Sequence, residues 1–182
     1  MKSRLKVVIL NSTLLKKYIL DYGFLTKFKL RLFFFNIVIG VLTGSKHGKY
    51  LFTHYTSRII AGQNLHLEGN KKGTFASLVV SGGCYLQAGN GIKLGEGTIF
   101  APNVAIISAN HDMSRKDKAW LKQEPIEIGS DCWLGTGCTI LPGVKLGNRC
   151  VVAAGAVVSK SFPDDGLVIG GVPAKVISRI DN

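Results

Sequence analysis

Acidic residues are scarce in this 182-residue chain, where 11 Asp and Glu stand against 23 Lys and Arg for a net charge of +12. Such a surplus raises nucleic-acid binding first, and its distribution argues against it. Residues 1–50 hold ten bases and one acid, Asp21, whereas residues 51–182 hold thirteen bases and ten acids. A nucleic-acid groove wants bases spread over the folded body with interleaved aromatics, and this body is close to neutral. Long apolar runs are missing too. The longest uncharged stretch, Leu32 to Ser45, is fourteen residues and is broken by Asn36 and Gly40, against the ~20 apolar residues that a spanning helix needs. The four cysteines, Cys84, Cys132, Cys138 and Cys150, form no CxxC pair, and no cleavable signal pattern is present. A cytoplasmic setting is therefore expected. With 46% apolar and 19% charged residues, the chain should fold as one main domain with a short extension.

From Ile126 onward the chain divides into sixes: IEIGSD, CWLGTG, CTILPG, VKLGNR, CVVAAG, AVVSKS. The third place holds Ile128, Leu134, Ile140, Leu146, Val152 and Val158; the first holds Ile126, Cys132, Cys138, Val144, Cys150 and Ala156. A helical period of 3.6 loses phase within two such repeats, so the pattern is neither a helix nor an alternating hairpin. LGEGTI and FAPNVA continue it upstream through Leu94, Phe100 and Ile106. The 22 residues from Ile106 to Ile128 require a loop, placed on the polar stretch 108–125. Val80 and Leu86 are again six apart, and Ile59 to Gly69 reads as a weaker opening turn. The division is thus a basic, apolar helical extension over 1–50 and a coiled domain over 51–182.

The runs LGEGTIFAPNVAIISANHD, IEIGSDCWLGTGCTILPGVKLG and VVAAGAVVSKSFPDDGLVIGGVPAKVI resemble the hexapeptide-repeat acyltransferases. The branch they are similar to contains galactoside, maltose and serine O-acetyltransferases and small enzymes that acetylate surface polysaccharides. The resemblance spans about two thirds of the chain. It implies an all-β, left-handed parallel β-helix with a protruding catalytic loop, a homotrimer, and acetyl-CoA as acyl donor. The left hand comes from the resemblance alone, because parallel crossovers are otherwise nearly always right-handed.

Acyl transfer to a hydroxyl needs a base for the hydroxyl proton and a donor for the oxyanion. Of His47, His54, His66 and His111, only His111 lies in the interrupting loop, and the resemblance makes it the base. Asp112 or a backbone carbonyl would orient its imidazole, and Asp112 is also placed on the acceptor side. By the same resemblance Trp133, Thr136, Ala154, Ser159, Lys160 and Lys175 match positions that contact coenzyme A, the two lysines offering charge to phosphates. Gln87 and Asn90 match amides that hold sugar hydroxyls. Cys132, Cys138 and Cys150 share the small inward place of the repeat and are expected to be packing residues, not nucleophiles. Asn103 is expected at a corner, since Asn tolerates left-handed backbone angles.

The expected function is acetyl-CoA-dependent O-acetylation of a sugar or surface-polysaccharide precursor. N-acetylation of a nucleotide-linked amino sugar is the alternative, although the GxGxxG motif that many such enzymes carry is absent. A zinc carbonic anhydrase on the same coil would need three converging histidines; only His111 lies in the well-formed repeats, so no metal is expected. The basic first fifty residues, with LRLFFFNIVIGVL, are expected against the anionic cytoplasmic face of a membrane, or else packed on the open end of the coil.

Overall fold

The structure, a computed structural model, describes residues 27–43, 50 and 52–180, with side chains from residue 31 onward. The rest of the expected extension, residues 1–26 and 44–49, lies outside the described residues. The chain opens with α1 (Lys27–Leu42), β1 (Arg58–Ile60), β2 (Leu65–Leu67) and α2 (Lys72–Val80). It continues through β3 (Tyr85–Gln87), β4 (Ile92–Leu94), β5 (Ile99–Phe100), β6 (Ala105–Ile107), β7 (Ile126–Ile128), β8 (Trp133–Leu134) and β9 (Thr139–Ile140). The last elements are β10 (Lys145–Leu146), β11 (Val151–Val152), β12 (Val157–Val158), β13 (Leu167–Gly171) and β14 (Ala174–Arg179).

These strands build three parallel sheets visited in rotation, which makes a triangular coil. Face A stacks β1, β3, β6, β9 and β12; face B stacks β2, β4, β7 and β10; face C stacks β5, β8, β11 and β13, with β14 at its edge. Lys145 pairs with Glu127, Val151 with Trp133 and Val157 with Thr139, so one turn of the coil takes eighteen residues. Alternation within so short a strand turns one main side chain inward, and the rest of each hexad makes a corner. The inward columns are Ile59, Leu86, Ile106, Ile140 and Val158 on face A, Leu94, Ile128 and Leu146 on face B, and Phe100, Leu134, Val152 and Ile169 on face C, all buried. Each such side chain contributes roughly 1.5–3 kcal/mol by leaving water, and no turn can bury its column without the next. Asn103 sits at the corner between faces C and A with φ of 62°.

The first turn departs from the repeat. Val80, expected in the coil six residues before Leu86, is instead the exposed last residue of α2. That helix occupies the place on face C where a strand would otherwise pair with β5. Thr74 and Ser81 donate their hydroxyls to the carbonyls of Thr98 and Phe100, at 2.7 and 2.8 Å, and the Phe100 N–H donates to Ser77 Oγ at 3.0 Å. Thr74 and Ser77 are spaced to share one helix face, Ser81 follows at the helix end, and the three hydroxyls satisfy the open edge of β5 as a further strand would.

Against α2 lies α1. Phe33 joins the Phe52 and Phe75 cluster, with ring centroids 5.8 and 6.0 Å away. Asn36 is fully buried, donating from Nδ2 to the carbonyls of Phe52 and Val79 at 3.1 Å and accepting from the Tyr55 N–H at 3.2 Å. A buried amide with its partners satisfied fixes how the helix sits. At the far end β14 runs antiparallel to β13, and the parallel stack stops.

Candidate active site

The polar stretch 108–125 leaves the coil at the corner between faces A and B, from β6 to β7. It folds into a small hairpin. Asp112 N–H donates to the Ala119 carbonyl and Leu121 N–H to the Asn110 carbonyl, both at 2.8 Å, which sets His111 opposite Trp120. Asp112 Oδ1 accepts from the backbone N–H and hydroxyl of Ser114 at 2.9 and 2.6 Å and starts the tip turn. An Arg115–Asp117 ion pair of 2.7 Å closes that turn.

His111 is exposed, and its Nδ1 bonds the Lys118 carbonyl. A carbonyl only accepts, so Nδ1 carries the proton and Nε2 presents a free lone pair. The orienting acceptor is thus a backbone carbonyl. Asp112 does not hold the imidazole: its carboxylate is engaged by Ser114, whose two bonds pull it below the usual carboxylate range. Lys118, whose carbonyl does the orienting, sits in the left-handed region at φ 45°, a conformation costly for a side-chain-bearing residue.

Gln87 and Asn90 lie beneath this hairpin. Gln87 Oε1 accepts from Ala109 N–H at 3.0 Å, while Asn90 Nδ2 donates to the carbonyls of Ser108 and Leu121 at 2.9 and 2.8 Å. Ser108 Oγ in turn accepts the Asn90 N–H at 3.0 Å. Asn90 thus grips both feet of the loop, and Gln87 the first of them. Trp120 packs on Gly89, where a Cβ would stand 2.7 Å from the ring. Ser108, Lys118 and Trp120 had no mark in the sequence, because a backbone carbonyl has no residue signature and a loop tryptophan has no periodicity.

The residues matched to coenzyme A fall into two groups. Trp133 faces outward from β8 and is 52% exposed. Thr136 and Ala154 stack at the corner between faces C and A, where the Gly155 N–H donates to the Thr136 carbonyl at 2.9 Å. Lys175 is exposed on β14. Ser159 and Lys160 instead follow β12, at the corner between faces A and B from which the loop emerges. Within one chain, His111, Ser159 and Lys160 lie along one edge of face A, and Trp133, Thr136 and Ala154 beyond the other.

Residues 125–160 match the family described as bacterial transferase hexapeptide (six repeats). That stretch of the chain carries the repeat of this family. A Saccharomyces cerevisiae protein named "Putative acetyltransferase YJL218W" is 34% identical over 131 residues, which cover 71% of this chain and 60% of that protein. The chain thus spans about 60% of the length of that curated relative. The crystal structure of a maltose O-acetyltransferase from Clostridium difficile 630 superposes with a TM-score of 0.56 at 22% identity, over 86% of this chain and 90% of that one. A galactoside acetyltransferase in complex with coenzyme A gives a TM-score of 0.50 at 19% identity, over 87% and 85% of the two chains. The hexapeptide coil is the left-handed parallel β-helix.

Two properties of the hexapeptide coil bear on chemistry. Nothing lies within 4 Å of a Cβ built on Gly137 or Gly155, so the corner between faces C and A has room for a narrow ligand alongside its backbone. The cysteines, by contrast, are enclosed. Burial pushes the Cys132 thiol up to about 11 and the Cys138 thiol to about 12, and neither forms a thiolate at neutral pH. Among the described residues no group of three metal-ligating side chains gathers.

Proposed function

We propose that this protein is an acetyl-CoA-dependent O-acetyltransferase acting on a hydroxyl of a sugar or surface-polysaccharide precursor. The observation that carries the reading is the exposed His111 imidazole, tethered at Nδ1 by a carbonyl so that Nε2 is left for the acceptor. Acetyl-CoA would supply an activated acyl carbon and a thiol leaving group. The open C–A corner suits its pantetheine arm: Trp133, Thr136 and Ala154 would flank the arm, and Lys160 and Lys175 would meet phosphates. His111 Nε2 takes the hydroxyl proton as the acceptor oxygen attacks, and the Lys118 carbonyl steadies the imidazolium through Nδ1–H. The same proton then goes to the departing sulfur. Transfer is direct, since the buried thiols offer no nucleophile for an acyl-enzyme.

The proposed assembly is a homotrimer. The two groups of site residues lie on opposite edges of face A, so a neighbouring prism would bring one copy's C–A corner to another copy's loop. Both substrates would be met on the cytoplasmic side, where glycan precursors and acetyl-CoA coincide. The test is thiol release from acetyl-CoA over a panel of glycans and amino sugars. His111→Ala should lower turnover at least ~10²-fold while coenzyme A still binds. Near-normal turnover in that variant refutes the reading, and transfer to amino sugars alone would move it to N-acetylation.

A further inference from the structure

From Leu32 to Leu42, Asn36 apart, helix α1 is apolar on every side, although only one side has a partner among the described residues. Phe33, Asn36 and Gly40 face the coil and are buried. On the opposite line Phe35 is 49% exposed, Val38 54% and Leu42 76%, with Val41 exposed beside them. Tyr55 extends the patch, its ring 5.4 Å from Phe35 in an edge contact. A helix that is hydrophobic all round belongs in a buried setting. Yet among the described residues no helix is long and apolar enough to cross a membrane.

Charge indicates which cover is meant. Exposed Arg31 precedes Phe35 by one turn on this line, and the backbone position of Lys27 precedes Arg31 by another. Residues 1–50 add up to ten bases against one acid. A partner protein face or a second copy of this near-neutral coil has no need of that surplus, whereas an anionic lipid surface does. Each base near such a surface contributes about 1 kcal/mol, and apolar side chains enter beside the headgroups.

We infer that the outward line of α1, Phe35–Val38–Leu42, is a docking surface for anionic lipid, on which the protein rests without crossing. This binding stands apart from catalysis and is read without turnover. The full chain should sediment with vesicles of phosphatidylglycerol and phosphatidylcholine at low salt, less at high salt, and not with phosphatidylcholine alone. The double variant V38D/L42D changes only exposed positions, and unchanged circular dichroism would show that it folds. It should lose at least ~10-fold in the bound fraction while thiol release with a soluble acceptor stays as in the parent. Absence of sedimentation by the parent overturns the proposal, since the face would then be covered within the chain. So does a variant that falls from trimer to monomer with sedimentation unchanged, which would make the face a subunit contact.

Discussion

Gly129 has no side chain because the next coil leaves no room for one. A Cβ built there would stand 2.5 Å from the Gly147 carbonyl oxygen, and one on Gly95 would meet the Gly129 backbone at the same distance. These atoms are main chain, held by the ladder, and cannot rotate away. Gly129→Ala should therefore force two coils apart and cost about 1–3 kcal/mol, seen as a lower denaturation midpoint with little change in cooperativity slope. The inward aliphatics from Ile128 to Val158 were legible in the sequence as the third place of the hexad. What the period does not carry is the identity of the atom pressed against the corner, since that depends on stacking residues 18 apart in register. Nor does it distinguish an amide that meets a substrate from one that holds a loop, as Gln87 and Asn90 illustrate.

The hairpin and its seat form the element on which the chemistry would depend. A regular step from face A to face B takes six residues, as from Ile140 to Leu146, but from Leu86 to Leu94 it takes eight. The lengthened corner contains Gly89, which receives Trp120, and Asn90, which reaches both feet of the loop. The slip of two residues is visible in the sequence, yet its purpose becomes legible only against a loop arriving from the turn above. Asn90→Ala removes both side-chain bonds to the feet and should loosen the hairpin without opening the coil. Turnover should fall roughly tenfold with the KM for acetyl-CoA near the parent value, measured by steady-state kinetics. A fall in stability with turnover intact would instead make Asn90 a structural residue only. Helix α2 was missed for a related reason: Val80 and Leu86 keep the spacing of six by coincidence of a helix end and a strand.

For the whole molecule, the three faces differ in chemistry. Face B carries an outward ladder in which Glu127 lies 3.0 Å from Lys93 and 3.7 Å from Lys145. The Lys93 hydrogen bond holds the Glu127 carboxyl below the usual range, so the ladder stays ionic at neutral pH and suits solvent. Faces A and C present Tyr85, Ile99 and Trp133 outward, all exposed. Contact between subunits is therefore expected through faces A and C, with face B left in water. If sites form between prisms, mixing an inactive His111→Ala with an inactive Ala154→Trp in one co-expressed assembly should recover turnover, because some interfaces then unite an intact loop with an intact corner. Light scattering showing an active monomer, or co-expression that recovers nothing, would contradict the shared site.

The two seals on the coil also decide where it can grow. On face C, hydroxyls of α2 and of Ser81 at its end close the edge of β5, and β14 closes the other end by running backwards. Extra coils therefore cannot be added at either end without unmasking strand edges, but they can enter in the middle, where each turn answers only to its neighbours. A duplicated stretch of eighteen residues between β8 and β11 would keep every inward column in phase. It would lengthen the prism by one strand spacing, about 4.8 Å. The seals would be untouched. The coil thus behaves as a graduated rule whose end stops are fixed and whose length changes only by whole divisions, so the open corner between faces C and A can lengthen stepwise while the hairpin keeps its shape.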